Sequence, residues 1–168
     1  MKALIFAVPF VLAAPALAQP MPQPATTAPA TTAPAFVKAA GASDLYERRS
    51  SQLVLQTTRN AKVRQFATMM LKDHANSTAM VTKAAAQAGI KPTPPMLTPA
   101  QQKMIADLRA QTGTARDTAY IDQQKQAHEQ ALALHSGYAS NGDAAPLKAA
   151  AAKIAPVVEH HLTMLKGM

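Results

Sequence analysis

The sequence predicts an all-α protein, a ferritin-like four-helix bundle with a short extra helix in its long central connection. Alternating strand-like patterns are absent from residues 36–168, where Ala, Leu, Gln, Lys and Met dominate and favour helix. Breaks rich in Pro, Gly and Asn divide this region into four long segments and one short one. Its length of about 130 residues is enough for one domain with one core.

The first 35 residues are predicted to lie outside the bundle. Lys2, a short apolar run and a small-x-small site ending at Ala18 are typical of a secretory signal peptide over residues 1–18, cleaved after Ala18. The apolar run is too short for a transmembrane helix. Residues 19–35 hold five prolines and predict an extended tether. We therefore expect a periplasmic or secreted bacterial protein.

The first two long helices are predicted at residues 36–58 and 61–88. Gly89 is expected to end the second helix, because glycine is the residue most often found just past a helix C-terminus. The Pro-rich run that follows prevents the helix from continuing. A long connection therefore separates the second long helix from the third.

This connection carries the short extra helix, which opens at Thr98 with proline in its first position and glutamine in its third. A Thr-Gly-Thr break ends it, and the third long helix follows at residues 115–140. Asp143 is expected to be the N-cap of the fourth long helix. Pro156 lies inside that helix and is expected to bend it.

A histidine lies on the apolar stripe of each of the last three long helices, and a glutamate lies in the first. Polar groups inside a bundle are costly unless something satisfies them, so one per helix predicts a shared internal site. Its members are Glu47, His74, His128 and His161. Three imidazoles and a carboxylate suit zinc, copper or non-haem iron, with one or more positions left for water.

Three further residues are expected to orient the histidine rings through hydrogen bonds. They are Asp73, Asp117 and Tyr120. The two remaining histidines are expected elsewhere: His160 facing solvent, and His135 at the end of the apolar stripe. Helix methionines are interpreted as core filler rather than as copper ligands.

The polar set also has an interpretation without metal, as a buried hydrogen-bond network that fixes helix register. A Glu-rich di-iron centre is not expected, because it needs about four glutamates, two of them in Glu-x-x-His pairs. The chain has only Glu47, Glu129 and Glu159, and no such pair. No nucleophile–base arrangement or phosphate-binding glycine loop is visible, so an enzyme is not expected.

The formal net charge is +8, and the chain has no cysteine. A disulfide framework is therefore excluded. The basic residues are scattered, with the densest cluster from Arg59 to Arg64. They indicate either a solvated helix surface or attraction to an anionic cell-envelope surface. Nucleic acid is not an expected partner, because no aromatic-basic interleaving or recognition motif is present.

Three motifs in the long helices resemble a known bacterial family. They are Met70-Leu71-Lys72-Asp73-His74, Tyr120-Ile121 followed by His128, and Pro156 followed by His161-Leu162. The chain resembles the exported ferritin-like domains of unknown function called DUF4142, from Phe36 to about Leu165. The resemblance implies the fold, an envelope location and a recurrent polar set, but no established activity. That set comprises Glu47, Asp73, His74, His128 and His161. One departure is Arg116, where the family usually has phenylalanine.

Overall fold

A computed structural model describes residues 32–91 and 93–168, which form five helices and no strand. The helices are α1 (Ala33–Leu55), α2 (Ala61–Gln87), α3 (Pro99–Arg109), α4 (Gly113–Asn141) and α5 (Ala145–Lys166). The predicted signal peptide and the tether up to residue 31 lie outside the described residues. Within the described part of the chain, no helix is both long and apolar enough to cross a membrane.

The four long helices form a closed ring of neighbours. α1 packs against α2 and α4, and α5 packs against the same two helices from the opposite side. Residues 56–60 join α1 to α2, and residues 142–144 join α4 to α5, so each pair is an antiparallel hairpin. The short α3 lies against α1 and α4. The all-α four-helix bundle, with its extra helix in the long connection, is confirmed.

Two helix ends confirm the local signals in the sequence. Thr98 and Gln101 form a complete capping box at the start of α3. Gly89 takes a φ of +73° just past α2, and the amide of Ile90 donates to the carbonyl of Ala85 at 2.9 Å. This Schellman arrangement satisfies carbonyls that the helix end would otherwise leave unpaired.

Two other helix starts differ from the prediction. α1 begins at Ala33, three residues early, because Pro34 sits in its first turn, where its fixed φ and missing N–H cost nothing. Asp143 is not the N-cap of α5; Ala144 is, without a side-chain cap. The carboxylate of Asp143 instead accepts a hydrogen bond of 2.9 Å from the hydroxyl of Tyr138.

The apolar core is divided into two clusters, one towards each end of the bundle. One cluster contains Phe36, Tyr138 and Leu147, and the other contains Phe66 and Met70. The side chains between them are polar and buried. This polar layer comprises Asp44, Glu47, Ser50, His74, Ser77, Gln124, His128 and His161. A polar layer of this kind is costly unless its groups satisfy one another or a bound ion.

Candidate metal centre

Three histidines from three helices meet in the polar layer. His74 comes from α2, His128 from α4 and His161 from α5, and each is at most 4% exposed. The centres of their rings lie 5.3 to 5.8 Å apart. One ring nitrogen from each histidine lies within 4.8 Å of the nitrogens from the other two. The predicted convergence of the three imidazoles is therefore present in the structure.

The outer nitrogen of every ring faces an oxygen acceptor. Nδ1 of His74 donates to Oδ1 of Asp44 at 2.9 Å, and Nδ1 of His128 donates to the backbone carbonyl of Gln124 at 2.8 Å. Nε2 of His161 donates to Oδ2 of Asp73 at 3.1 Å. A proton on the outer nitrogen leaves the inner nitrogen of a neutral imidazole with a lone pair.

The inner nitrogens face one another. Nε2 of His128 lies 3.2 Å from Nδ1 of His161, and Nε2 of His74 has no hydrogen-bond partner among the described residues. Two lone pairs at 3.2 Å repel, so this contact needs either a proton or a cation between the rings. The outer hydrogen bonds thus leave the inner nitrogens of His128 and His161 as acceptors, and that of His74 as well when its ring is neutral.

A proton is a poor occupant of the contact between His128 and His161. Burial, together with the nearby charges of His74 and His161, lowers the pKa of His128 to about 3. Burial also lowers the pKa of His161 to about 4, although Asp73 opposes the shift. His74 differs: burial lowers its pKa, but Asp44 and Glu47 together outweigh burial and raise it overall.

Glu47 lies beside the nitrogen cluster and not within it. Its Oε1 is 3.6 Å from Nδ1 of His128, the nitrogen that faces away from the other rings. The side chain is fully buried, and neither oxygen has a hydrogen-bond partner among the described residues. Burial raises the pKa of Glu47 to about 7, and the nearby charge of His74 opposes the shift. Direct ligation by Glu47 would therefore require its side chain to move.

The cluster is closed by aromatic and acidic side chains. Phe66 lies with its ring centre 6.2 Å from those of both His128 and His161. Asp73 is the most exposed of the hydrogen-bonding partners, with 26% of its side chain accessible. The carboxylate of Asp73 is therefore the part of this hydrogen-bonded set that is most accessible to solvent.

Two of the three residues that were expected to orient the rings form hydrogen bonds with other side chains instead. The hydroxyl of Tyr120 hydrogen-bonds Ser51 at 2.8 Å, and Asp117 accepts from Thr58 at 2.9 Å. Neither orients a histidine, because both lie more than a helical turn before His128 along α4. Only Asp73 takes the predicted position.

The sequence analysis missed Asp44, which holds His74 and also accepts a hydrogen bond of 2.9 Å from Thr78. Its spacing three residues before Glu47 places both carboxylates on one face of α1, so the sequence could have placed Asp44 in the polar layer, although not its bond to His74. His135 is buried edge-on against Phe36 in the end cluster. His160 is exposed, as predicted.

These features define the class of protein: a helical bundle with three buried, converging histidines between two apolar clusters. The family model described as "Domain of unknown function (DUF4142)" matches residues 18–168, and the chain belongs to this family. No functionally curated protein matches the sequence.

Two solved structures share the fold. One is a DUF305 protein from Streptomyces coelicolor that is thought to be secreted; it is 17% identical, with a TM-score of 0.67 over 80% of this chain and 90% of that chain. The other is a DUF305 fragment from Deinococcus radiodurans, 16% identical, with a TM-score of 0.67 over 79% of this chain and 91% of that chain. At this identity the likeness concerns the fold alone.

Proposed function

We propose that this protein is an exported transition-metal-binding protein whose ligands are His74, His128 and His161. The observation that supports the proposal is the orientation of the three rings. Their outer nitrogens are held by oxygen acceptors, so their inner nitrogens present lone pairs to a common point. Metal-binding histidines in proteins are held in the same way, by an oxygen on the nitrogen away from the ion.

The distances fit a metal ion after a small adjustment. Two nitrogens at about 2.0–2.1 Å from one tetrahedral ion are roughly 3.3–3.4 Å apart. His128 and His161 already lie at 3.2 Å, and the full set lies within 4.8 Å. A shift of roughly an ångström in the His74 ring would therefore complete a three-histidine site.

The donor set restricts the kind of ion. Three neutral imidazoles favour zinc, copper or iron(II) over magnesium or calcium, which prefer oxygen ligands. Glu47 would compensate the charge of the ion, either across His128 or as a fourth ligand after moving. The enclosed position of the cluster suits holding a metal more than turning over a substrate. We therefore favour metal sequestration or envelope stress protection as the role.

Export rests on the sequence. The segment over residues 1–18 has the charge, apolar run and cleavage site of a secretory signal.

Metal analysis of matched histidine variants tests the proposal. The unaltered protein, purified without chelator, is expected to carry close to one transition-metal ion per chain and to bind zinc in calorimetric titration. His161→Asn should lose most of this affinity, because removing one of three ligands leaves two. His135→Ala is the matched control, since His135 is equally buried but lies outside the cluster. Equal zinc binding by the His161 variant and the unaltered protein would overturn the proposal.

A second function is favoured by the bonds of Asp44, which connect α1 to both His74 and Thr78 on α2. In this alternative, the polar layer is a register-fixing network of a structural or interaction module. His128→Ala would then lower the free energy of unfolding by roughly 1–3 kcal/mol, with no dependence on metal. A melting temperature that rises on adding zinc would exclude this alternative.

A further inference from the structure

A cleft outside the histidine cluster lies where α1, α3 and α4 meet. This cleft of about 480 Å³ is lined by three arginines, one from each helix: Arg49, Arg109 and Arg116. Its volume falls within the range of about 300–1,000 Å³ that is usual for ligand pockets. No histidine of the metal centre lines it.

The three guanidinium groups share a cleft without a carboxylate. No aspartate or glutamate lines it, and none of the three arginines forms an ion pair within residues 32–91 and 93–168. Like charges converging in one cleft raise its electrostatic potential. A bound anion would lower that potential.

Arg116 is held rigidly in the wall of this cleft. It is only 6% exposed, and its Nε donates to the carbonyls of Leu108 at 2.9 Å and Gln111 at 2.7 Å. Nη1 donates to Thr57 at 3.0 Å. These bonds cap the C-terminal end of α3 and explain why Arg116 is buried, but they bring no full negative charge to it.

Among the residues that the structure describes, the side chains of the other two arginines form no ion pair. Arg49 and Arg109 are exposed on the rim, so their side chains are free to turn towards an anion. Gln52 on α1 and Gln56, which directly follows this helix, add amide donors beside Arg49. Leu53 and Ile105 add an apolar surface for an organic group attached to the anion.

We propose that this three-arginine cleft binds a phosphate group, either free or carried by a lipid headgroup. Guanidinium groups match phosphate oxygens in paired hydrogen bonds, and the three positive charges of the cleft attract a phosphate anion. The room beside the arginines accommodates the group to which the phosphate is attached. The proposal is independent of the metal centre, which shares no residue with the cleft.

Two double variants with equal loss of charge test the proposal. The test variant is Arg49→Gln with Arg109→Gln, and the control is Lys83→Gln with Lys153→Gln. All four positions are exposed, and the control pair does not line the cleft. The purified proteins are titrated with inorganic phosphate by calorimetry. They are also sedimented with vesicles of phosphatidylglycerol and, separately, of phosphatidylcholine alone.

The unaltered protein is expected to bind phosphate, phosphatidylglycerol vesicles or both. The test variant should weaken that binding about tenfold or more, and the control should stay within about twofold. Binding to phosphate alone identifies a free ligand, and binding to phosphatidylglycerol vesicles alone identifies a headgroup. Equal weakening in both variants, or no binding of either probe by the unaltered protein, overturns the proposal. Zinc titration should be unchanged in the test variant, so failure here leaves the metal proposal intact.

Discussion

Glu47 is the residue whose charge is most difficult to reconcile with its position. It is fully buried, and its carboxylate has no hydrogen-bond partner among the described residues. Ionising such a group costs free energy unless a cation compensates it. In the metal-binding proposal, a cation in the adjacent cluster compensates the charge of Glu47, so only the metal-free protein is destabilised by it.

Glu47→Gln should therefore stabilise the metal-free protein at alkaline pH. Because burial raises the pKa of Glu47 to about 7 from 4.5, the folded state holds more protons than the unfolded state between these values. Stability is lost as pH rises through this window, and the full penalty applies above it. We expect the variant to gain about 1–3 kcal/mol at pH 8 and almost nothing at pH 4, measured by urea unfolding with chelator. An equal difference at both pH values would contradict the argument.

The buried histidines should make the metal-free protein sensitive to acid. Burial lowers the pKa of His128 to about 3, and those of His135 and His161 to about 4. In the unfolded chain these histidines bind protons near the ordinary histidine pKa of about 6.5, whereas in the folded chain they do not. Their contribution to stability is thus complete above pH 6.5 and is lost as pH falls towards 4.

His135→Leu should reduce this sensitivity to acid without altering the candidate metal centre. Nδ1 of His135 has no hydrogen-bond partner among the described residues, so an apolar replacement leaves nothing unpaired. The slope of unfolding free energy against pH between about 4.5 and 6 should fall by up to about 1.4 kcal/mol per pH unit. Urea unfolding across this range measures it. A slope identical to that of the unaltered protein would show that His135 is protonated in the folded state.

At the scale of the helices, the sequence predicts the helix ends that are fixed by contacts between residues close together in the chain. Thr98 and Gly89 were identified because a capping box and a left-handed glycine involve only neighbouring residues. Asp143 is not the N-cap of α5, because its carboxylate accepts a hydrogen bond from the hydroxyl of Tyr138 on the preceding helix. The predicted start of α1 is too late, because a Pro-rich composition is typical of an extended segment and the first turn of α1 contains Pro34.

The turn between α4 and α5 depends on a glycine at position 142. A Cβ there would lie 2.5 Å from Cε1 of Tyr138 and 2.6 Å from its backbone carbonyl oxygen. The carbonyl cannot retreat without disturbing the end of α4. Gly142→Ala should therefore cost about 1–3 kcal/mol of unfolding free energy, measured by chemical denaturation.

Gly89→Ala is the comparison, since its Cβ would meet no atom within 4 Å and only the positive φ opposes it. Its cost should be limited to about 1–2 kcal/mol from the left-handed backbone conformation. Adding Tyr138→Phe to each glycine variant should distinguish a displaced Tyr138 side chain from backbone strain alone. In the Gly142 variant the phenol is already displaced, so the second change should cost less than it does alone. Fully additive costs would show that Tyr138 does not move.

At the scale of the whole molecule, helical periodicity could predict which histidines share the interior. His74, His128 and His161 each lie on a buried face, and each lies between the two apolar clusters of the bundle. Periodicity gives the rotation of each helix but not the side-chain bonds between helices. It therefore could not predict that Asp44 holds His74, or that Glu47 lies on the outer side of His128.

Metal binding should stabilise the packing of three of the four long helices, since the proposed ligands come from α2, α4 and α5. Zinc at about a hundred times its dissociation constant should add about 2.7 kcal/mol of stability and raise the melting temperature by several degrees. Hydrogen exchange should slow most in those three helices, while α3, which supplies no ligand, should change least. His161→Asn should abolish both effects, whereas His135→Leu should retain them. Uniform slowing that includes α3, or a rise that survives in the His161 variant, would indicate binding elsewhere on the chain.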